Sequence, residues 1–226
     1  RKESSKEEKD ANYYMKETAG PGKGDQLPYV DSVRLLIVPD VSTRMAAVRT
    51  GKVDLAQLVA ADDAKSVQKT APRLIIAKHR VPFPMGVSLR MDRQDLPYKD
   101  VKVRQALTMA TNFDAIVNDY YKGDAVKMAW PVGPSKSQEG AYWPFETLPD
   151  SVKALYTYNP DKAKQLLKDA GYPNGFKSTI VVQNVQSIVD LASIVKDQWS
   201  KVGVDLTIQP KDTGTYNNLS VQRSYE

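Results

Sequence analysis

LPYKDVKVRQALTMATNFDAIVNDYYKG, residues 96–123, is the stretch on which the reading of the fold turns. A Leu-Pro-Tyr-Lys turn leads to Asp100, a residue type that caps helices by accepting an early backbone N–H. Val103, Ala106, Leu107 and Ala110 then recur at i, i+3, i+4 and i+7. That spacing predicts a helix with one buried face. Thr111-Asn112 punctuates the run. A second short helix, carrying Ile116, Val117 and Tyr120, is predicted up to Gly123.

Toward the N-terminus, VRLLIV (33–38) is a β-branched and leucine run. It predicts a strand with both faces largely buried. Pro39-Asp40 ends it, Ser42 or Thr43 can cap the next helix, and Gly51 closes that helix. VDLAQL (53–58) reads as the following strand, which makes a compact β-α-β unit with an expected right-handed connection. Asp62-Asp63 opens a helix that Pro72 terminates. Residues 74–77 and 85–89 are predicted as short strands, with Val81-Pro-Phe-Pro a kinked, extended link between them.

Toward the C-terminus, residues 125–140 hold Trp130 and three breakers, Pro131, Gly133 and Pro134, and read as a loop. Asn159 as N-cap and Pro160 at the first helical position open a helix with Ala163, Leu166, Leu167 and Ala170 inward. After Gly171 and a Tyr-Pro-Asn-Gly-Phe turn come a strand (178–183), a helix (187–201) and a strand (204–208). Ile188, Leu191, Ala192, Val195 and Trp199 form the inner face of that helix. The tail, TGTYNNLSVQRSYE, is helix-capable. Strands alternating with helices argue an α/β fold with a mixed, mainly parallel sheet flanked by helices. Residues 1–26 are a polar segment and loop, and no linker divides residues 27–226, which are expected to form one unit.

Composition bounds the function. The 226 residues are 41% hydrophobic and 26% charged, ordinary for a globular chain. No apolar run reaches the ~18 residues of a membrane span. Cysteine is absent, which removes disulfides and thiolate chemistry together. The net charge of +5 comes from Lys and Arg interleaved with Asp and Glu. A nucleic-acid surface would cluster its basic residues with stacking aromatics, so no nucleic-acid partner is expected.

No catalytic constellation emerges. The single histidine, His79, has neither a G-x-S-x-G elbow nor a second His for a metal. Asp62-Asp63 stands at a helix start, where capping and dipole stabilisation account for it. Arg104 beside the apolar stripe reads as a structural ion pair. Gly20-Pro-Gly-Lys-Gly lacks the phosphate-loop spacing, and G-x-G-x-x-G is absent. No catalytic residue, metal or cofactor is therefore assigned.

Several segments carry more than periodicity. Asn12-Tyr13-Tyr14, LPYVDSVRLLIVPDVSTRMAAVRTGKVDLA, LPYKDVKVRQALTMATNFDAIV, YNPDKAKQLLKDAGYPNGF and WSKVGVDLTIQ occur in that order. Together they resemble the extracytoplasmic solute-binding proteins of ABC importers, specifically the peptide/nickel-type group, solute-binding protein family 5. The resemblance implies one lobe of a type II periplasmic-binding-protein fold, with the other lobe of the two absent. It implies a non-enzymatic protein that captures a peptide or similar small solute between lobes and delivers it to membrane permease subunits. An extracytoplasmic monomer, lipid-anchored in its full-length form, is expected. By correspondence with the family's cleft-facing positions, the ligand-binding candidates are Gln57, Leu58, Val81, Phe83, Met85 and Trp130. Arg90 stands where the family commonly has Asn. Competing readings are an α/β hydrolase or transferase domain, and a sensor or receptor module on the same lobe. A convergent Ser/Lys or carboxylate site would favour the enzyme.

Overall fold

The computed structural model describes residues 4–8, 10, 13–18, 21–57, 59–78, 85–127, 133 and 140–226. Contacts divide the chain into two compact units, Arg1–Lys78 and His79–Glu226.

In the first unit, β1 (Ser4–Glu8) pairs antiparallel with β2 (Ser32–Leu36), from Ser4 opposite Leu36 to Glu8 opposite Ser32. Sequence gave no sign of β1, because SSKEE lacks the β-branched and aromatic residues that favour strands. β2 is exposed along its whole length, not buried on both faces as expected. Among the described residues its one partner is β1, and no layer covers it. Helix α1 (Val41–Thr50) is capped by Asp40, whose carboxylate accepts from Thr43 N–H at 2.7 Å, rather than by Ser42 or Thr43. Hydrogen bonding by the Thr43 side chain, and then by its N–H, holds the Asp40 carboxyl below its ordinary range. Gly51 ends the helix at φ 72°, a left-handed conformation that glycine adopts without strain.

Helix α2 (Ala61–Thr70) begins at Ala60 with no side-chain cap. Asp62 and Asp63 lie in its first turn, so they complement the helix dipole without capping. Arg49 Nε donates to Thr70 Oγ1 at 3.0 Å and ties the two helices. Among the described residues of this unit, Met45, Val67 and Ala71 are the buried apolar ones. The strands expected at 53–58 and 74–77 do not form among the described residues. A strand exists by its ladder, and no neighbouring strand offers one to these segments. The expected β-α-β unit is therefore a β-hairpin-like ribbon followed by two helices.

The second unit holds the main core. Pro97–Lys99 forms one 3₁₀ turn into α3 (Val101–Ala110), and the Asp100 carboxylate accepts from Lys102 N–H at 2.8 Å. Val103, Ala106, Leu107 and Ala110 are all buried, as their spacing predicts. α4 (Phe113–Ala115) runs into a π-helical turn, Ile116–Tyr120. A 3₁₀ turn (Phe145–Thr147) precedes α5 (Asp150–Leu155). α6 (Pro160–Asp169) has Asn159 Oδ1 accepting from Lys162 N–H at 3.0 Å, with Pro160 in its first turn.

β3 (Phe176–Gln183), α7 (Gln186–Ser200), β4 (Val204–Lys211) and α8 (Thr213–Val221) complete the unit. β3 and β4 are parallel, in register from Phe176 opposite Val204 to Gln183 opposite Lys211. α3 and α6 pack on each other, and Ala163, Leu167, Trp199, Val204 and Leu206 join the α3 stripe in one buried cluster. Each fully buried Leu or Val there contributes about 1.5–3 kcal/mol. The fold is thus α/β, with an antiparallel ribbon in one unit and a parallel pair in the other. Residues 85–89 form no strand, contrary to expectation, and no strand pairs with them among the described residues.

Candidate functional site

Of the six ligand-binding candidates, Leu58, Val81, Phe83 and Trp130 lie outside the described residues, as does His79. Gln57 is exposed in the irregular stretch that follows α1. Met85 is 64% exposed at the start of the described segment 85–90. The two belong to different units.

The segment 85–100 is where sequence sets up a site-like arrangement. It is polar, rich in Arg and Asp, and leads into the 3₁₀ turn before α3. Leu89 packs partly buried against the core and anchors it. Arg90 follows, with a side chain only 14% exposed. Its Nε and Nη2 donate to the two Asp92 carboxylate oxygens at 2.7 and 2.8 Å. A bidentate guanidinium pair of this kind strongly favours the ionised acid. The Arg90 hydrogen bonds accordingly hold Asp92 down at about 2, against an ordinary 3.8. Arg90 Nη1 donates to the Arg223 carbonyl, and the guanidinium stands 5.8 Å from the Tyr225 ring centroid. Arg93 repeats the local motif, donating from Nε to Asp95 at 3.0 Å.

A buried polar chain adjoins this segment. Tyr98, 2% exposed, meets Phe176 edge-on at 6.0 Å, and its hydroxyl pairs with Ser178 Oγ. Burial pushes the Tyr98 hydroxyl pKa up. Ser178 Oγ donates to Glu226 Oε2 at 3.0 Å, and Thr179 N–H donates to the same oxygen at 2.9 Å. Arg104 Nη1 donates to the carbonyls of Tyr98 and Lys99 at 2.7 and 3.0 Å. Arg104 is thus a scaffold residue, as expected, but it acts through backbone carbonyls rather than an ion pair.

A second polar cluster stands where the chain enters residues 128–139. Lys127 Nζ donates to both Asp114 oxygens at 2.9 and 3.2 Å and lies 4.5 Å from the Phe145 ring centroid. Tyr156 joins Phe145 to Phe113, with centroid separations of 5.9 and 5.5 Å. Every charge here has its partner, and the rings satisfy one another, so the cluster reads as structural.

Sequence reasoning singled out Arg90 by its departure from a pattern but missed its partners. Asp92 two residues on was a legible signal. Arg223 and Tyr225 gave none, because Arg90 meets them across more than a hundred residues of chain. Among the described residues no group of three or more His, Asp or Glu side chains could hold a metal ion, and no helix is long and apolar enough to cross a membrane.

Comparison with known proteins places this arrangement. Residues 2–226 match the family model described as bacterial extracellular solute-binding proteins, family 5 Middle. The dipeptide-binding protein of Escherichia coli is 32% identical over 195 residues, covering 84% of this chain and 34% of that protein. The glutathione-binding protein of Pectobacterium atrosepticum is 30% identical over 189 residues, covering 83% and 34%. The heme-binding protein A of Haemophilus influenzae is 32% identical over 182 residues, covering 77% and 30%. Among solved structures, an ABC transporter-associated periplasmic binding protein of Helicobacter pylori, in complex with a peptide, matches at 27% identity. Its TM-score is 0.75 over 92% of this chain and 38% of that one. The chain spans about a third of the length of the curated relatives it matches. By sequence along its whole length and by fold, the chain belongs to the bacterial extracellular solute-binding proteins of family 5.

Proposed function

We propose that this chain is part of the solute-binding component of an ABC importer, working outside the cytoplasm without catalysing a reaction. It captures a peptide or similar small solute in a cleft between two lobes and presents it to membrane permease subunits. The observation that carries this reading is the family match over residues 2–226, joined to the fold likeness with a peptide-bound periplasmic protein. In this reading residues 27–226 form a single α/β lobe of the two-lobed protein. Gln57, Leu58, Val81, Phe83, Met85 and Trp130 line its side of the cleft. The full-length protein acts as a lipid-anchored monomer. Ligand contacts made only in the closed state drive lobe closure, and closure is what the permease reads.

The named relatives bind a dipeptide, glutathione and heme, so peptide-like solutes are the first to test. The test is calorimetric titration of the full-length protein with di- and tripeptides, glutathione and heme. Saturable binding of one class at one site is expected. A ligand at a hundred times its Kd should also add about 2.7 kcal/mol of stability. A folded full-length protein that binds none of these, and is not stabilised by any of them, would sink the reading.

A further inference from the structure

Arg90 joins two parts of the second unit that lie 133 residues apart in sequence. One edge of its guanidinium is occupied by Asp92, at 2.7 and 2.8 Å. The remaining nitrogen donates to the Arg223 carbonyl, and the Tyr225 ring stands beside the charge. The receiving turn has an uncommon backbone. Arg223 has φ 53°, the left-handed region where glycine is the usual occupant at a helix end. α8 closes around it, with Arg223 N–H donating to Ser220 O at 3.2 Å and Ser224 N–H to Leu219 O at 2.8 Å. The tail then reaches β3, where the Glu226 carboxylate takes the Ser178 hydroxyl and the Thr179 N–H. Residues 223–226 are therefore held at both ends, by Arg90 at one and by β3 at the other.

We propose that Arg90 is a positioning residue that latches segment 85–90 to the turn ending α8, so that segment, tail and β3 edge move as one body. The chemistry requires arginine. A planar fork can hold a carboxylate on one edge and still present a further N–H to a carbonyl in a fixed direction. A lysine ammonium is a point charge and cannot fix both partners in one geometry. Asp92 orients the fork, and the carbonyl bond steadies a left-handed turn that a non-glycine residue adopts at a cost. One consequence rests on the solute-binding reading above: Arg90 then decides how Met85 and Val87, both exposed on this segment, stand toward a ligand.

The latch is tested by amide hydrogen exchange, resolved by fragment, on the full-length protein carrying Arg90→Lys, Arg90→Ala or Glu226→Gln. For each Arg90 variant, exchange in residues 85–92, in residues 222–226 and at Thr179 should rise together by at least about tenfold, with α3 and α6 unchanged. Glu226→Gln should loosen the tail and, through the latch, residues 85–92. The proposal is overturned if either segment loosens without the other, if neither does, or if Arg90→Lys loosens the whole chain evenly. A separate arm titrates the full-length Arg90→Lys protein with a dipeptide that the wild type binds. About tenfold weaker binding supports the consequence for ligand, and unchanged affinity removes that consequence. If the wild type binds no dipeptide, the solute-binding reading fails, and the exchange arm still decides the latch.

Discussion

At the residue scale, Asp92 carries a pH-dependent contribution to stability. Its folded pKa of about 2 lies below the ordinary 3.8 because Arg90 hydrogen-bonds its ionised form. A depressed carboxyl stabilises the fold above the unfolded-state pKa, and the contribution is lost as pH falls through the folded value. The window therefore runs from about 4 down to about 2. Wild type should melt higher than Asp92→Asn near neutrality, and the gap should close across that window. Thermal melts of both proteins from pH 7 to pH 2 measure it, and comparing the pair cancels the other carboxylates. A gap that stays constant through the window would show that the pair contributes nothing by ionisation. Asp92 was visible in the sequence as an acid beside an arginine. Its depressed pKa was not, because the bidentate geometry depends on where Leu89 and the tail hold Arg90.

At the element scale, the β3–α7–β4 unit rests on two glycines, one before each strand. Gly175 (φ 73°) precedes β3 and Gly203 (φ 89°) precedes β4, and their backbones abut. A side-chain carbon on Gly175 would overlap the Gly203 backbone, while one on Gly203 would come within 3.2 Å of Asn174 O. Gly175→Ala thus meets two penalties, a left-handed φ and a collision with main chain that cannot swing aside. It should cost about 2 kcal/mol or more, read as a shifted urea midpoint at unchanged slope. Gly171→Ala is the control. It has the same positive φ (90°) but open space where the side chain would stand, so it should cost about half as much. Equal costs at the two positions would mean that the close approach does not matter. The helices themselves were legible from caps and period. α3 and α6 begin at Asp100 and Asn159 as read, since capping is a local interaction.

At the scale of the whole molecule, buried apolar side chains are unevenly shared. Met45, Val67 and Ala71 serve the first unit, while the second holds the continuous cluster from Tyr98 to Leu206. In the first unit Val33, Leu35, Leu36 and Ile37 stand exposed on or beside β2. Local opening free energy follows buried contact density, so amides of α1 and α2 should exchange before those of α3, α6 and β3. Native-state exchange at rising urea reads the order directly, and equal protection in the two units would contradict it. The exposed β2 run also explains a failed expectation. VRLLIV reads as a strand covered on both faces, because apolar residues in a row are the signature of double burial. In this chain of about a third of its relatives' length, no described layer covers it.

What the sequence determined by itself was the family, the α/β class and the capped helices of the second unit. Motif order, 3.6-residue periodicity and helix caps are all written within a few residues of one another. What only the tertiary structure decided is which apolar runs become strands and which charges meet. Residues 53–58, 74–77 and 85–89 have strand composition, yet pairing requires a neighbour that the sequence does not name. Arg90 with Arg223, Tyr98 with Ser178 and Glu226 with Thr179 are likewise set by chain reversal over long separations. Such contacts form only once a folded core has met the entropy of closing those loops, so no local pattern records them.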